Sequence, residues 1–164
     1  MKHGGGYTDS TLAYNAYKGY YDQRYSVVSP LIIDVRNSWV TQNVRALTQI
    51  TIKVDKQVTT TQNKLWAVVF EKDIYVTNYG GYNLPTVVRA RVIYQDFTLT
   101  QVGQSQGYST EFDIDKSWNP AKLGVAVFVQ SDETKEVLQS AWADIAGQTN
   151  MKKTTWGSIK KLYQ

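Results

Sequence analysis

The sequence predicts a mainly β chain: an antiparallel two-sheet sandwich of about seven strands, immunoglobulin-like or jelly-roll-like, with an N-terminal helix and a short C-terminal amphipathic tail. Leu65 to Phe70 and Val125 to Val129 are continuous apolar runs of strand length, as strands buried on both faces require. Flanking segments alternate apolar and polar residues with a period of two. Short polar or glycine-bearing stretches separate them, and strands joined in this way pack as two antiparallel layers.

Thr8 to about Tyr25 reads as the helix, because Thr8, Asp9 and Ser10 offer capping side chains and no proline interrupts before Pro30. Tyr14, Tyr17 and Tyr21 fall at i, i+3 and i+7, with Ala13 and Tyr20 beside them, so one face is broad and tyrosine-rich. Packing against the chain's own core is the plain reading of such a face. Gly19 weakens the run by about 1 kcal/mol relative to alanine, so packing has to hold it.

After Ser29-Pro30 the texture turns to β and stays so to about Ile145. Leu31 to Val35 is a short strand, and Ile50, Ile52 and Val54 alternate with Thr51, Lys53 and Asp55 in a half-exposed one. The two apolar runs form the middle of the core. Thr86 to about Val102 supplies one long or bent strand, Tyr108 to Ile114 alternates, and Glu136 to Ile145 closes the set. Turns fall at Gln57 to Asn63, Gly80-Gly81, Gly103 to Gly107 and Ser131 to Thr134. A transmembrane barrel, with its roughly ten-residue strands alternating between lipid and lumen, does not fit. The chain divides into a glycine-rich segment and helix at 1–29, a sandwich at 30–146 and a basic linker and docking tail at 147–164. In that tail Trp156, Ile159, Leu162 and Tyr163 recur at near-helical spacing among Lys152, Lys153, Lys160 and Lys161.

Composition excludes much chemistry. At 164 residues the chain is one domain that buries roughly 70% of its unfolded surface. Its net charge of +4 is scattered rather than gathered into a stripe, which disfavours nucleic acid. With Cys 0 and a single histidine, His3, there is no material for thiolate sites, cysteine nucleophiles or histidine-centred catalysis. No cofactor, metal or catalytic residue is expected. No apolar run reaches the roughly 18 residues of a membrane span and no secretory leader opens the chain, so the expectation is a soluble protein that does not span a membrane.

Carboxylates cluster at Glu71 and Asp73, at Asp113 and Asp115, and at Asp132 and Glu133; solvated strand ends account for such pairs better than a cation or acid–base site. Tyr75, Tyr79 and Tyr82 flank Gly80-Gly81 in an expected loop, and Trp39 and Trp118 sit near strand ends. Such aromatics offer large contact area with few rotors, for a sugar or a protein partner, although packing is the commoner use.

Several stretches resemble the twenty-eight-kilodalton outer-membrane-protein-related family: Lys64-Leu65-Trp66-Ala67-Val68-Val69-Phe70-Glu71-Lys72-Asp73-Ile74, Val87-Val88-Arg89, Gly103-Gln104-Ser105, Ser117-Trp118-Asn119-Pro120, and Val127 through Gln139. The resemblance spans about residues 7 to 145. It implies a β-sandwich, preceded in that family by a thioredoxin-like domain, and an extracellular or cell-envelope address. Gly5 to Arg24 resembles the closing helix of that preceding domain, whose Cys-x-x-Cys is missing, so redox activity is not carried over. Thr155 to Lys160 is similar to terminal Trp-Gly-x-Ile-Lys segments of some exported bacterial proteins.

The functional expectation is a non-enzymatic extracytoplasmic protein-interaction module that associates with itself, as an oligomer or filament subunit, or with envelope proteins. Its self-association residues are Tyr14, Tyr17, Tyr20, Tyr21, Trp156, Ile159, Leu162 and Tyr163, because a helix face without its sheet and an apolar tail are parts a head-to-tail interface uses. On that reading, deleting residues 1–25 or the tail from Met151 abolishes assembly. The alternative is surface-glycan binding through Tyr75, Tyr79, Tyr82 and Trp118.

Overall fold

The computed structural model describes residues 27–77 and 81–145, together with Tyr14, Asn15, Lys18, Gly19 and Asp22. Seven strands are present among them: β1 Leu31–Thr41, β2 Arg45–Val54, β3 Asn63–Val76, β4 Tyr82–Asp96, β5 Ser105–Asp113, β6 Leu123–Ser131 and β7 Val137–Asp144. A 3-10 turn at Pro120–Lys122, capped by the Asn119 side chain on the Ala121 N–H, leads into β6. The strands form two antiparallel sheets, β1-β2-β5 and β4-β3-β6-β7, so the expected two-layer sandwich and its strand count hold.

Alternation explains the layering. Ala46, Thr48, Ile50, Ile52 and Val54 of β2 turn inward and are buried, while Arg45, Gln49, Thr51 and Lys53 face water. Leu65, Ala67 and Val69 of β3 and Leu123, Val125, Val127 and Val129 of β6 meet them from the other sheet. At about 25 cal/mol per Å² of apolar area, these fully buried side chains dominate the stabilisation. β3 and β6 hold the two middle positions of the four-stranded sheet, as their unbroken apolar runs require.

Several strand limits differ from expectation. β1 runs on to Thr41 rather than stopping at Val35, because Asn37 is not a breaker here: its amide donates to the Ala143 carbonyl at 2.8 Å, and Trp39 then packs on the core. β2 begins at Arg45, where Asn43, with φ 60°, turns the corner and the Val44 N–H donates to Thr41 at 3.0 Å. β3 continues six residues beyond Phe70 to Val76, and β4 starts at Tyr82 and ends at Asp96. Tyr75 and Tyr82 therefore stand in a ladder rather than in a loop, with Val76 opposite Tyr82 and Tyr75 opposite Asn83. Of the expected N-terminal helix only Tyr14, Asn15, Lys18, Gly19 and Asp22 are described, all exposed, with Lys18 2.5 Å from Asp22; the remainder, and the whole tail, lie outside the described residues.

The two long sides of the sandwich are closed differently. Along one, β1 lies beside β7, and side chains take the place of a backbone ladder: Ser29 Oγ donates to the Leu138 carbonyl at 2.8 Å, Gln139 Nε2 to Leu31 at 3.1 Å, and Asn37 to Ala143. Along the other, β4 and β5 are not hydrogen-bonded. Truncating the centre tests this core: Leu65→Ala should lower unfolding stability by about 2–5 kcal/mol, and the exposed Val88→Ala by under about 0.5 kcal/mol, both read from urea midpoints.

Candidate functional site

The outer face of the four-stranded sheet is aromatic. The register sets three cross-strand rows on it: Ser140, Phe128, Trp66 and Tyr94; Trp142, Ala126, Val68 and Arg91; and Asp144, Gly124, Phe70 and Val88. Trp66 stacks on Phe128 with centroids 5.7 Å apart and meets Tyr94 at 4.4 Å, and Phe70 and Trp142 form a T-shaped pair at 5.8 Å. Phe70 lies over Gly124, where any Cβ would strike its ring, so the glycine makes room for the aromatic layer. Phe70 is thereby buried on a face that looks outward, whereas Val88, Tyr94 and Trp142 remain 62%, 45% and 39% exposed.

Cations lie across these rings. Lys72 sits 4.4 Å from the Trp142 centroid and 2.5 Å from Asp144, Lys64 sits 5.7 Å from Tyr94 and is paired with Asp96, and Arg91 sits 4.8 Å from Tyr94 and 5.6 Å from Trp66. Each such contact is worth about 0.5–1 kcal/mol at an exposed site. Arg91 pairs with no carboxylate among the described residues, and the buried Trp66 Nε1 has no hydrogen-bond acceptor there. Arg91 is exposed, so its guanidinium is a donor available beside apolar groups, an arrangement suited to a partner surface that carries acceptors between apolar groups, whereas the Trp66 N–H is enclosed within the layer.

A second polar cluster sits at the end of the sandwich where β3, β4 and the 118–122 segment meet. Glu71 is 5% exposed, which corrects the expectation of a solvated carboxylate. Arg89 Nη2 pairs with it at 2.8 Å, and the Asn119 N–H donates to its other oxygen at 3.1 Å. Arg89 reaches it because it is an extra residue in β4, lying between Ala90, opposite Val69, and Val88, opposite Phe70; such bulges redirect a side chain. Lys122 Nζ donates to the Asp73 carbonyl at 2.8 Å, beside the left-handed backbone of Asp73 with φ 50°. Asp115 accepts from the Ser117 N–H at 2.8 Å and hydroxyl at 2.7 Å, and these bonds, helped by the Arg89 charge, hold its carboxyl below the usual value. These ties join loops to strands. Asp113 pairs with Arg45 at 2.7 Å, Asp132 with Lys135 at 3.7 Å, and Glu133 accepts from Thr61. No group of three or more metal-ligating side chains gathers among the described residues.

The residues expected to bind glycan are not brought into one platform. Tyr75 and Tyr82 are exposed, but direct opposition of Tyr82 to Val76 puts the two tyrosines on opposite faces of the hairpin, and the Tyr75 hydroxyl folds against Gly81. Trp118 is half-buried and packs on the core, and Tyr79 lies outside the described residues. Among the expected self-association residues only Tyr14 is described, 64% exposed; Tyr17, Tyr20, Tyr21, Trp156, Ile159, Leu162 and Tyr163 lie outside. The aromatic face was not singled out from the sequence, although Trp66, Phe70 and Phe128 all occupy the second faces of the two apolar runs.

No protein-family model matches the chain, and no curated protein matches it. Solved structures share this fold at low sequence identity. A domain of the outer membrane lipoprotein Omp28 from Porphyromonas gingivalis superposes with a TM-score of 0.55 at 14% identity, covering 75% of this chain and 93% of that domain. HBP35 of Porphyromonas gingivalis gives 0.63 at 16% identity over 88% of this chain, which spans about half, 49%, of the HBP35 chain. At these identities the likeness is one of fold, and it agrees with the sequence resemblance to the twenty-eight-kilodalton family.

Two measurements probe the polar cluster. Arg89→Ala strands a buried carboxylate and should cost on the order of 2–3 kcal/mol, below the roughly 3–5 kcal/mol of a fully buried pair because Arg89 is partly exposed. Asp115, with its folded pKa depressed, contributes stability that is present above the unfolded value of about 3.9 and is lost as pH falls through the folded one. Ser117→Ala should move the Asp115 titration, followed by carboxyl carbon NMR shifts, upward towards that ordinary value.

Proposed function

We propose that this chain is a non-enzymatic binding module of the cell envelope or extracellular space that works by docking onto protein surfaces, further copies of itself included. The observation that carries this reading is the outer face of β3 and β6. Rings from Trp66, Phe70, Tyr94, Phe128 and Trp142 form one layer over four strands, with the exposed Arg91 guanidinium, which pairs with no carboxylate among the described residues, lying over two of them. Tryptophan, tyrosine and arginine are the residues that dominate binding energy at protein interfaces, and a contiguous apolar layer in water marks such a surface.

The envelope address rests on the family resemblance and on the fold shared with Omp28, an outer membrane lipoprotein. Support for a non-enzymatic role comes from the carboxylates, which are tied into structural contacts: Glu71 to Arg89 and Asn119, Asp113 to Arg45, Asp132 to Lys135. The glycan alternative has less beneath it, since Tyr75 and Tyr82 point apart and Trp118 packs inward.

Sedimentation of the full chain over a range of concentrations tests the self-association. The weight-average mass should climb above 18.6 kDa as concentration rises, and a chain that stays at that mass up to about millimolar concentration removes self-association from the reading. Titration with oligosaccharides should leave tryptophan fluorescence without a saturable change; saturation would transfer the aromatic layer to glycan binding.

A further inference from the structure

The four edge strands of this sandwich are not equally protected. β1 and β7 spend edge groups on each other through Ser29, Asn37 and Gln139. β4 carries Pro85, which has no N–H to offer, and two unpaired residues, Arg89 and Val92, that break its ladder. These are devices by which proteins blunt an open edge. β5 has no proline and no break of this kind, and its charged residues are Glu111 and Asp113 alone. Its 9 residues keep an unbroken register with β2.

The phase of the ladder decides which β5 groups are free. Ile114 N–H bonds the Val44 carbonyl at 2.8 Å, and Val54 N–H bonds the Gln104 carbonyl at 2.9 Å, so even-numbered residues face β2. Ser105, Gly107, Ser109, Glu111 and Asp113 then turn both backbone groups away from β2, towards a side that β4 does not pair with.

We propose that β5 pairs antiparallel with β5 of a second copy, across a two-fold axis at Ser109, joining the two three-stranded sheets into one continuous sheet. The inference rests on the self-association part of the function proposed above and names its surface. With the axis at Ser109 every outward-turned residue meets another. Ser109 faces the partner's Ser109, Gly107 faces the partner's Glu111, and Ser105 faces the partner's Asp113, so no carboxylate opposes a carboxylate. An axis at Glu111 would set two carboxylates together. Arg45 lies 2.7 Å from Asp113 and 3.8 Å from Glu111, offsetting one of the two negative charges at the acidic end of the strand within its own subunit. On the core side, half-buried Tyr108 and Phe112 pack against the core at this open edge, and they would find the partner's Thr110 and the partner's Gln106 opposite, extending the burial of both.

The chain has no cysteine, so one introduced thiol reports on this geometry in the full-length protein. A hydrogen-bonded antiparallel pair sets its Cα atoms about 5.5 Å apart, inside the roughly 4.4–6.8 Å that a disulfide spans. Ser109→Cys should therefore convert under mild oxidation to a linked dimer of twice 18.6 kDa. Gln106→Cys, on the same strand but about 20 Å from its counterpart at roughly 3.3 Å per residue, should give little. Ser109→Pro deletes one outward N–H that the parent ladder does not use, and should weaken self-association at least tenfold while the circular dichroism spectrum is retained. If unmodified chain sediments above monomer mass and Ser109→Cys links no better than Gln106→Cys, pairing at β5 is overturned and self-association by another surface stands. If unmodified chain stays monomeric, both fall.

Discussion

The fold depends on β3 and β6 being apolar on both faces. A strand that buries one face can leave the other to water, and β2 does so, with inward Ile50, Ile52 and Val54 set against outward Gln49, Thr51 and Lys53. β3 and β6 cannot. Their inward residues Leu65, Val69, Val125, Val127 and Val129 build the core, and their outward residues Trp66, Val68, Phe70, Ala126 and Phe128 still need shelter. Neighbouring strands supply part of it: Trp142 from β7 and Tyr94 from β4 complete the aromatic layer, and Lys64, Lys72 and Arg91 lay their charges over it. Such a layer shields itself only partly, and the exposure of Val88, Tyr94 and Trp142 measures the remainder.

Much of the architecture was legible in the residues. The two apolar runs could be placed as central strands from their length and two-sided character, and the turn residues fixed the strand count. Limits were hidden wherever a polar side chain found a distant partner. Asn37 looks like a place to stop, yet its amide finds Ala143 across the sandwich, and β1 continues. Glu71-Lys72-Asp73 looks like a solvated strand end, yet Glu71 is held by an arginine 18 residues along and by the Asn119 backbone, and β3 runs through it. Those partners become neighbours only through the tertiary fold, which a local reading of period and propensity does not contain.

The aromatic face illustrates the same divide. Trp66, Phe70 and Phe128 were visible as members of apolar runs, but their joining with Tyr94 and Trp142 follows from the strand order β4-β3-β6-β7 and its register. Phe70 also needs Gly124 opposite it, a pairing that spans 54 residues of sequence and two different strands. The loop aromatics looked more suggestive because they cluster in sequence, and the ladder then divides Tyr75 from Tyr82. Nearness along a strand sends consecutive residues to opposite faces, whereas nearness across strands gathers them on one.

The two sheets consequently divide the surface into unlike parts. On the three-stranded sheet the outward residues of β2 and β5 include Arg45, Gln49, Thr51, Lys53, Ser105, Ser109, Glu111 and Asp113, so its face is wetted and gains little by being covered. Its open edge, by contrast, presents backbone groups in unbroken register. On the four-stranded sheet the order is reversed: the face is aromatic and gains by being covered, while the β4 edge is spoiled by Pro85 and by Arg89 and Val92, which fall out of the ladder with β3. Hydrogen bonding and apolar burial are therefore available to partners at different places on the molecule. A strand joining at β5 need not displace a surface docked on Trp66 and Phe128, because the two belong to opposite layers.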